Sequence, residues 1–334
     1  MKKALWVLGT VAIMSLSACG SDDEENASPN IGQYAPGMKI TEIRSEGTLE
    51  QSWIWNGNRL DTVNYHSDQS PTSAFFTYEN NRLVQVTGPY STSARLSYSG
   101  TQLTQIEFHQ DGISGTFSLE YSNDKVSRMT LPFSRETMEE LAGDEFPEFI
   151  TRGTGAMNID FAWAGNNVAR QDIAATFTTS ISGSELMDMA AMMGLDEMLE
   201  PIAPFANLLA NFQFPLIFSM TSSVSASYDN KHNPFQSYFG SFDIENLHIL
   251  FSANNPTHVA SSSTMNYSLS LPDGLPAMLA ALGVNLADYG IEFPVEGSIP
   301  MDEDDDNYSY QYNDKGFPSH VDDGYRTREI IYAQ

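Results

Sequence analysis

Five consecutive acidic residues, Asp302-Glu303-Asp304-Asp305-Asp306, are the densest set of potential ligands in this 334-residue chain. Hard cations such as calcium take several carboxylate oxygens, which makes Asp302, Asp304 and Asp306 the candidates for a metal site. The run lacks the glycine and the spaced ligands of a calcium-binding loop, and neighbours on an extended strand point to opposite sides, so the five cannot all reach one ion. A solvated loop is the expectation, with no metal and no cofactor. Six histidines, His66, His109, His232, His248, His258 and His320, fall at no ligand-like spacing. There is no Gly-x-Ser-x-Gly elbow, no His-Glu-x-x-His helix, no phosphate loop and no Gly-x-Gly-x-x-Gly fingerprint. No catalytic residue is named, and the chain is expected not to be an enzyme. A hydrolase whose site assembles from separate strands is the remaining catalytic reading.

Two sets of residues suit binding instead. Trp53, Trp55 and Trp163 offer flat apolar faces on which sugar rings stack, although aromatics two apart on a strand more often belong to a core. Met189, Met192 and Met193 lie in a methionine-dense stretch, and methionine adapts to irregular apolar ligands as readily as it fills an interior. The formal charge of −27, with 16 basic against 43 acidic residues, argues against nucleic acid as a partner. Cys19 is the single cysteine, so neither a disulfide framework nor a cysteine-ligated metal is available.

The elements that must position these residues are hairpins. An aromatic precedes a turn at Trp55 (Asn56-Gly57), Tyr78 (Glu79-Asn80-Asn81), Tyr98 (Ser99-Gly100), Tyr121 (Ser122-Asn123-Asp124), Trp163 (Ala164-Gly165) and Tyr312 (Asn313 to Gly316). Five residues later stands an apolar residue: Leu60, Leu83, Leu103, Val126, Val168 and Phe317. Two before the aromatic stands another, which marks one face of a strand. Eight after it, Val63, Val86, Ile106 and Met129 continue the pattern while Gln171 and His320 break it. Leu60 and Val63 differ by three, which predicts a bulge or a wide turn after the aromatic, and Asn56 and Gly57 are the residues expected to take the positive φ angles of a primed turn.

Trp55-Asn-Gly-Asn-Arg-Leu60, Tyr78-Glu-Asn-Asn-Arg-Leu83 and Tyr312-Asn-Asp-Lys-Gly-Phe317 resemble the unit of YD (Rhs-type) repeats. Tyr228-Asp-Asn-Lys-His-Asn-Pro-Phe235, Ser252-Ala-Asn-Asn-Pro-Thr257 and Tyr310 to Val321 resemble a Bacteroidota surface lipoprotein family of unknown function with a porin-like β fold. The Tyr228 copy departs from the repeat, with Asn233 where the others are apolar. Three insertions, near 135–149, 184–214 and 272–289, read as helices, the second broken at Pro201 and Pro204. The fold expected is mainly β: a large antiparallel barrel or curled sheet whose greasy face encloses helical insertions filling or plugging the interior, with a polar outside rather than a lipid-embedded one.

Lys2, Lys3 and the apolar run Ala4 to Ala18 have the form of a signal peptide. Leu16-Ser17-Ala18-Cys19 resembles a bacterial lipobox, which implies cleavage before Cys19 and its acylation, with outer-membrane lipid as the partner. Asp22-Asp23-Glu24-Glu25 resembles the acidic export signal of surface lipoproteins; a plain solvated linker is the alternative. The chain thus divides into a signal peptide over 1–18, a lipidated cysteine with acidic stretch and flexible tether over 19–38, and one β domain over 39–334. The expected function is a non-catalytic binding or accessory module on the outer face of the outer membrane, for glycans or other nutrients. The alternative is a carrier or sensor of an apolar small molecule held beside the methionine-rich insertion.

Overall fold

The computed structural model describes residues 34–66, 71–89, 92–110, 113–142, 152–186, 209–210, 212–241, 244, 246–283, 285, 288 and 293–334. Its strands are β1 Ile40–Ser45, β2 Thr48–Asn56, β3 Arg59–Tyr65, β4 Thr72–Glu79, β5 Arg82–Thr87, β6 Ser93–Ser99, β7 Gln102–Gln110, β8 Ile113–Ser122 and β9 Lys125–Ser134. They continue as β10 Thr154–Ala164, β11 Asn167–Ser182, β12 Gln213–Tyr228, β13 Pro256–Leu269, β14 Val295–Asn307, β15 Ser309–Tyr312, β16 Pro318–Asp322 and β17 Thr327–Tyr332. All belong to one 17-stranded sheet. Pairings are antiparallel between neighbours along the chain, and β1 pairs with β17, so the meander closes into a barrel. β14 and β15 act as one wall strand: Tyr308 between them donates its N–H to Thr257 O at 3.0 Å, and the run passes from β13 to β16.

The hairpin repeat builds one rim, here the upper. In five copies the aromatic pairs with the apolar residue five positions on, as Trp55 with Leu60 and Tyr98 with Leu103, while Tyr312 pairs with Pro318, one past Phe317; the register shifts beside the aromatic in all six. That shift is the expected bulge, and it lets Leu60 and Val63 both reach the interior, each fully buried. The turn differs in detail from the expectation. Asn56 pairs with Arg59 as part of the strands, and Gly57 alone carries the positive φ, +58°, at the first central position of a type II′ turn. Asn80-Asn81 and Asn123-Asp124 use two positive φ angles and form type I′ turns.

Side-chain alternation separates a greasy lumen from a wet wall. Partners across β11–β14 share a face, so Asp172, Ser223, Ser262 and Glu303 form one outward rung, and Thr176, Ser219, Asn266 and Ser298 another. Arg128 and Asp160 pair on the outside at 2.7 Å. Among the described strand residues only Ile54, Phe75 and Ile217 are large, apolar and exposed. A membrane barrel needs an apolar outer band about 25 Å tall. The described wall carries no such band.

The interior holds two apolar clusters. The upper one gathers the repeat's leucines and valines around Phe235, Tyr238, Phe239, Leu247, Leu250 and Phe251, all from the connection between β12 and β13. That connection, 229–255, hangs from the upper rim and carries the helix Leu247–Phe251, every residue of which is buried. It is a fourth insertion, which the sequence presents as an irregular hairpin copy. The three helical insertions leave from the opposite rim. Helix Arg135–Ala142 lies beside β8 and β9, and helix Leu275–Ala281 joins Leu186, Leu209, Phe214, Leu216, Leu269 and Val295 in the lower cluster.

Candidate functional site

The departures from the repeat are what hold the interior segment. Gln171 is fully buried, donates from Nε2 to Ile244 O at 2.7 Å and accepts from the His248 N–H at 3.2 Å. Asn233 donates to Ile249 O and Ser252 O, at 2.7 and 3.0 Å, and accepts from the Phe235 N–H. Tyr238 stacks on Trp53 with centroids 4.7 Å apart, and Tyr34 donates to Pro234 O at 2.9 Å. The upper half is therefore occupied by the chain itself.

The wall is uneven in height. β11 and β12 have 16 residues each and β17 has 6, so at about 3.3 Å per residue the tall side's strands are longer by about 30 Å along their own axes, which at a barrel tilt of about 40° makes the wall roughly 25 Å taller there. On the lumen face of the tall side, between the two clusters, rungs run across the strands: Phe218-Tyr267-Gly297, then Met220-Met265-Ile299, then Ser222-Ser263, then Val224-Ser261-Asp304. Met220, Met265, Tyr267 and Ile299 point inward yet are only half-buried, whereas inward Ile159, Ile173 and Phe177 on β10 and β11 are buried. This is an apolar trough with free surface. A Cβ on Gly297 would stand 2.3 Å from the Tyr267 ring, so the glycine lets that ring lie flat on the wall.

The lower edge of the short side is charged. Arg328, its side chain 3% exposed, donates to Asp323 at 3.0 Å and lies 3.6 Å from Glu50, which Arg326 also approaches at 3.3 Å. Burial lowers the Arg328 guanidinium to about 10, reinforced by Arg326 and opposed by the two carboxylates. Asp306 faces inward nearby; burial, then Asp304, Asp323 and Asp305, raise its carboxyl above the usual range.

The residues singled out by sequence fare differently. Trp53 is 5% exposed, with its indole N–H on Gln51 Oε1, so it has no face left for a sugar. Trp55 and Trp163 donate to Ile40 O and Val126 O and are roofed by Lys39 and Lys125 at 6.0 and 5.3 Å from their rings. The stacking platform is thus replaced by structural aromatics, because the repeat needs them to tie hairpin to hairpin. Asp304 and Asp306 lie on the lumen side of β14; the side chain of Asp302 is outside the described residues. Among those residues no three His, Cys, Asp or Glu side chains gather to hold a metal ion. Cys19, Met189, Met192 and Met193 lie outside the described residues. The trough was missed because Met220 and Met265 sit in serine-rich strands; their in-register, inward placement was the available signal.

Fold and trough together define a closed antiparallel barrel, plugged above by its own chain and open below against a tall concave wall. No protein-family model matches this chain, and neither does any curated sequence. Among solved structures it is similar to a porin-like protein from Bacteroides vulgatus, at 9% identity and a TM-score of 0.31, over 89% of this chain and 99% of that one.

Proposed function

We propose that the protein holds an apolar small molecule in the trough of β12–β14, without catalysing a reaction, while tethered to the outer membrane through acylated Cys19. The observation that carries this reading is the set of inward, half-buried residues Met220, Met265, Tyr267 and Ile299 between two filled clusters. Covering such a surface with an apolar ligand gains roughly 25 cal/mol per Å² removed from water. Methionine suits ligands of varied shape because its side chain is unbranched and polarizable. The tether rests on the signal-peptide form of residues 1–18 and on Leu16-Ser17-Ala18-Cys19. Glycan binding is the less supported reading, since Trp53 is buried and Trp55 and Trp163 are covered.

An uncharged apolar dye, N-phenylnaphthylamine, tests the proposal in fluorescence titration of the Cys19→Ser chain. Binding is expected, and Met220→Trp or Met265→Trp, which fill the trough, weaken it by about tenfold or more, since each removes more than ~1.4 kcal/mol. Ser219→Trp, on the outer face, leaves it unchanged. A dye that does not bind, or binds all three variants alike, overturns the assignment.

A further inference from the structure

The upper rim gathers cations in an acidic protein. Lys39, Arg59, Arg82, Lys125, Lys231 and Lys315 all stand at its turns, although the whole chain has only 16 basic residues. Four of them are fixed in place. Lys39 donates to Gly57 O at 2.8 Å, Arg59 to Asn81 Oδ1 at 2.9 Å, Arg82 to Gly100 O and Lys125 to Gly165 O, each reaching the next turn round the rim. These four bonds lie at exposed positions, and none of the six cations forms an ion pair among the described residues. Among the described residues four carboxylates share the rim, Glu79, Asp124, Asp229 and Asp314, of which Asp229 is taken up by Asn255 and Tyr312; the 229–255 connection carries two more in sequence, Asp243 and Glu245. The opposite rim is the reverse: its connections 135–153, 183–212 and 270–294 carry 14 carboxylates against two cations.

We infer that the upper rim is a docking surface for anionic lipid headgroups and that it holds the trough's open end away from the membrane. The inference rests on the reading of Cys19 as the lipid anchor, and it adds an orientation. Tyr34, 4% exposed and stacked on Trp55 at 5.9 Å, fixes the chain at this rim, so the segment leading back to Cys19 departs from among the cations. On the tether reading of the stretch that follows Cys19, fifteen residues would span about 20 Å, short enough to keep the rim at the surface and long enough to let it make contact. An anionic leaflet attracts the cationic rim and repels the acidic one, and at physiological salt that discrimination acts within about 8 Å, so only the contacting rim feels it.

The test places the full acylated chain on vesicles of phosphatidylcholine, alone or with about 30 mol % phosphatidylglycerol to supply the surface potential. Asn58→Cys on the upper rim or Glu46→Cys on the lower carries a fluorophore read against a lipid-borne quencher. Quenching is expected at Asn58 and not at Glu46, stronger on the anionic vesicles, and reduced by about 0.5 M salt through screening. Arg59→Glu with Arg82→Glu and Lys125→Glu abolishes the anionic preference; salt acts on the unaltered fold and serves if that variant is unstable. The Cys19→Ser chain separates anchor from rim. If the acylated chain fails to float with vesicles while Cys19→Ser still prefers anionic ones, the anchor reading falls and the rim stands. Equal quenching at both positions, or no preference for anionic vesicles in either chain, overturns the inference, as does binding to heparin without binding to vesicles.

Discussion

Tyr98 shows what one residue of the repeat does. Its hydroxyl donates to Leu83 O in the preceding hairpin at 2.7 Å, and Arg82 covers its ring with the guanidinium 5.6 Å from the centroid. Tyr121 bonds Leu103 O and Tyr228 bonds Val168 O in the same way. Tyr98→Phe leaves the Leu83 carbonyl without this donor and is expected to cost about 1–2 kcal/mol, read as a lowered urea midpoint with unchanged m-value. Burial pushes the Tyr78 and Tyr121 phenols up to about 12 and raises Tyr98 and Tyr228 as well. Unfolded tyrosine ionises near 10, so between about pH 10 and 12 the unfolded chain loses protons that the native barrel keeps. Stability is full below pH 10 and falls as pH rises through that window; urea midpoints at about pH 9 and 11 check it. Arg328 makes the sharper demand. Arg328→Met leaves Glu50 and Asp323 without their buried counter-charge and is expected to destabilise by about 3–5 kcal/mol in the same assay. The aromatic and its leucine were legible from spacing. That the Tyr98, Tyr121 and Tyr228 hydroxyls cross to an earlier hairpin was not, because such a bond leaves no period within one copy.

Among the elements, the interior segment 229–255 is the one whose role the pattern concealed. It reads as a failed hairpin because Asn233 replaces an apolar residue, and Gln171 likewise breaks the eighth position after Trp163. Both serve the segment: Asn233 folds it on itself and Gln171 ties it to β11. Periodicity detects strands, but it has no means of showing that a polar residue at an apolar position is satisfied by a carbonyl from another connection. Asn233→Ala removes three hydrogen bonds at a buried site and is expected to release the segment before the wall: amide exchange in 233–252 rises sharply while β7 and β8 stay protected. Equal acceleration in both regions would show that segment and wall unfold as one unit. The acidic run also acquires a reason at this scale. β14 pairs with β13 along its length, while β15, its continuation, is what pairs with β16, so Glu303, Asp304 and Asp305 line a strand whose other side has no paired strand among the described residues. Charges on such an edge discourage pairing with another chain.

For the whole molecule, a large antiparallel barrel or curled sheet with a polar outside followed from sequence, since each copy has one apolar face; closure did not, because it rests on β1 pairing with β17 from the far end of the chain. The difference in height between the β11–β14 side and the β15–β17 side did not, because strand length depends on pairing partners rather than on local pattern. That difference turns a filled barrel into one with a trough, and it is the claim on which ligand binding depends. Single cysteines on the Cys19→Ser background test it most directly, with a charged thiol reagent: Ser222→Cys in the trough, Ser223→Cys on the outer wall, and Ala94→Cys facing the filled upper half. The expected result is rapid labelling at 222 and 223 and protection of 94 by about a hundredfold or more, as for sites reached only by local unfolding, with an apolar ligand shielding 222 alone. A protected 222, or a 94 that labels as fast as the outer wall, would contradict a plugged upper half above an open trough.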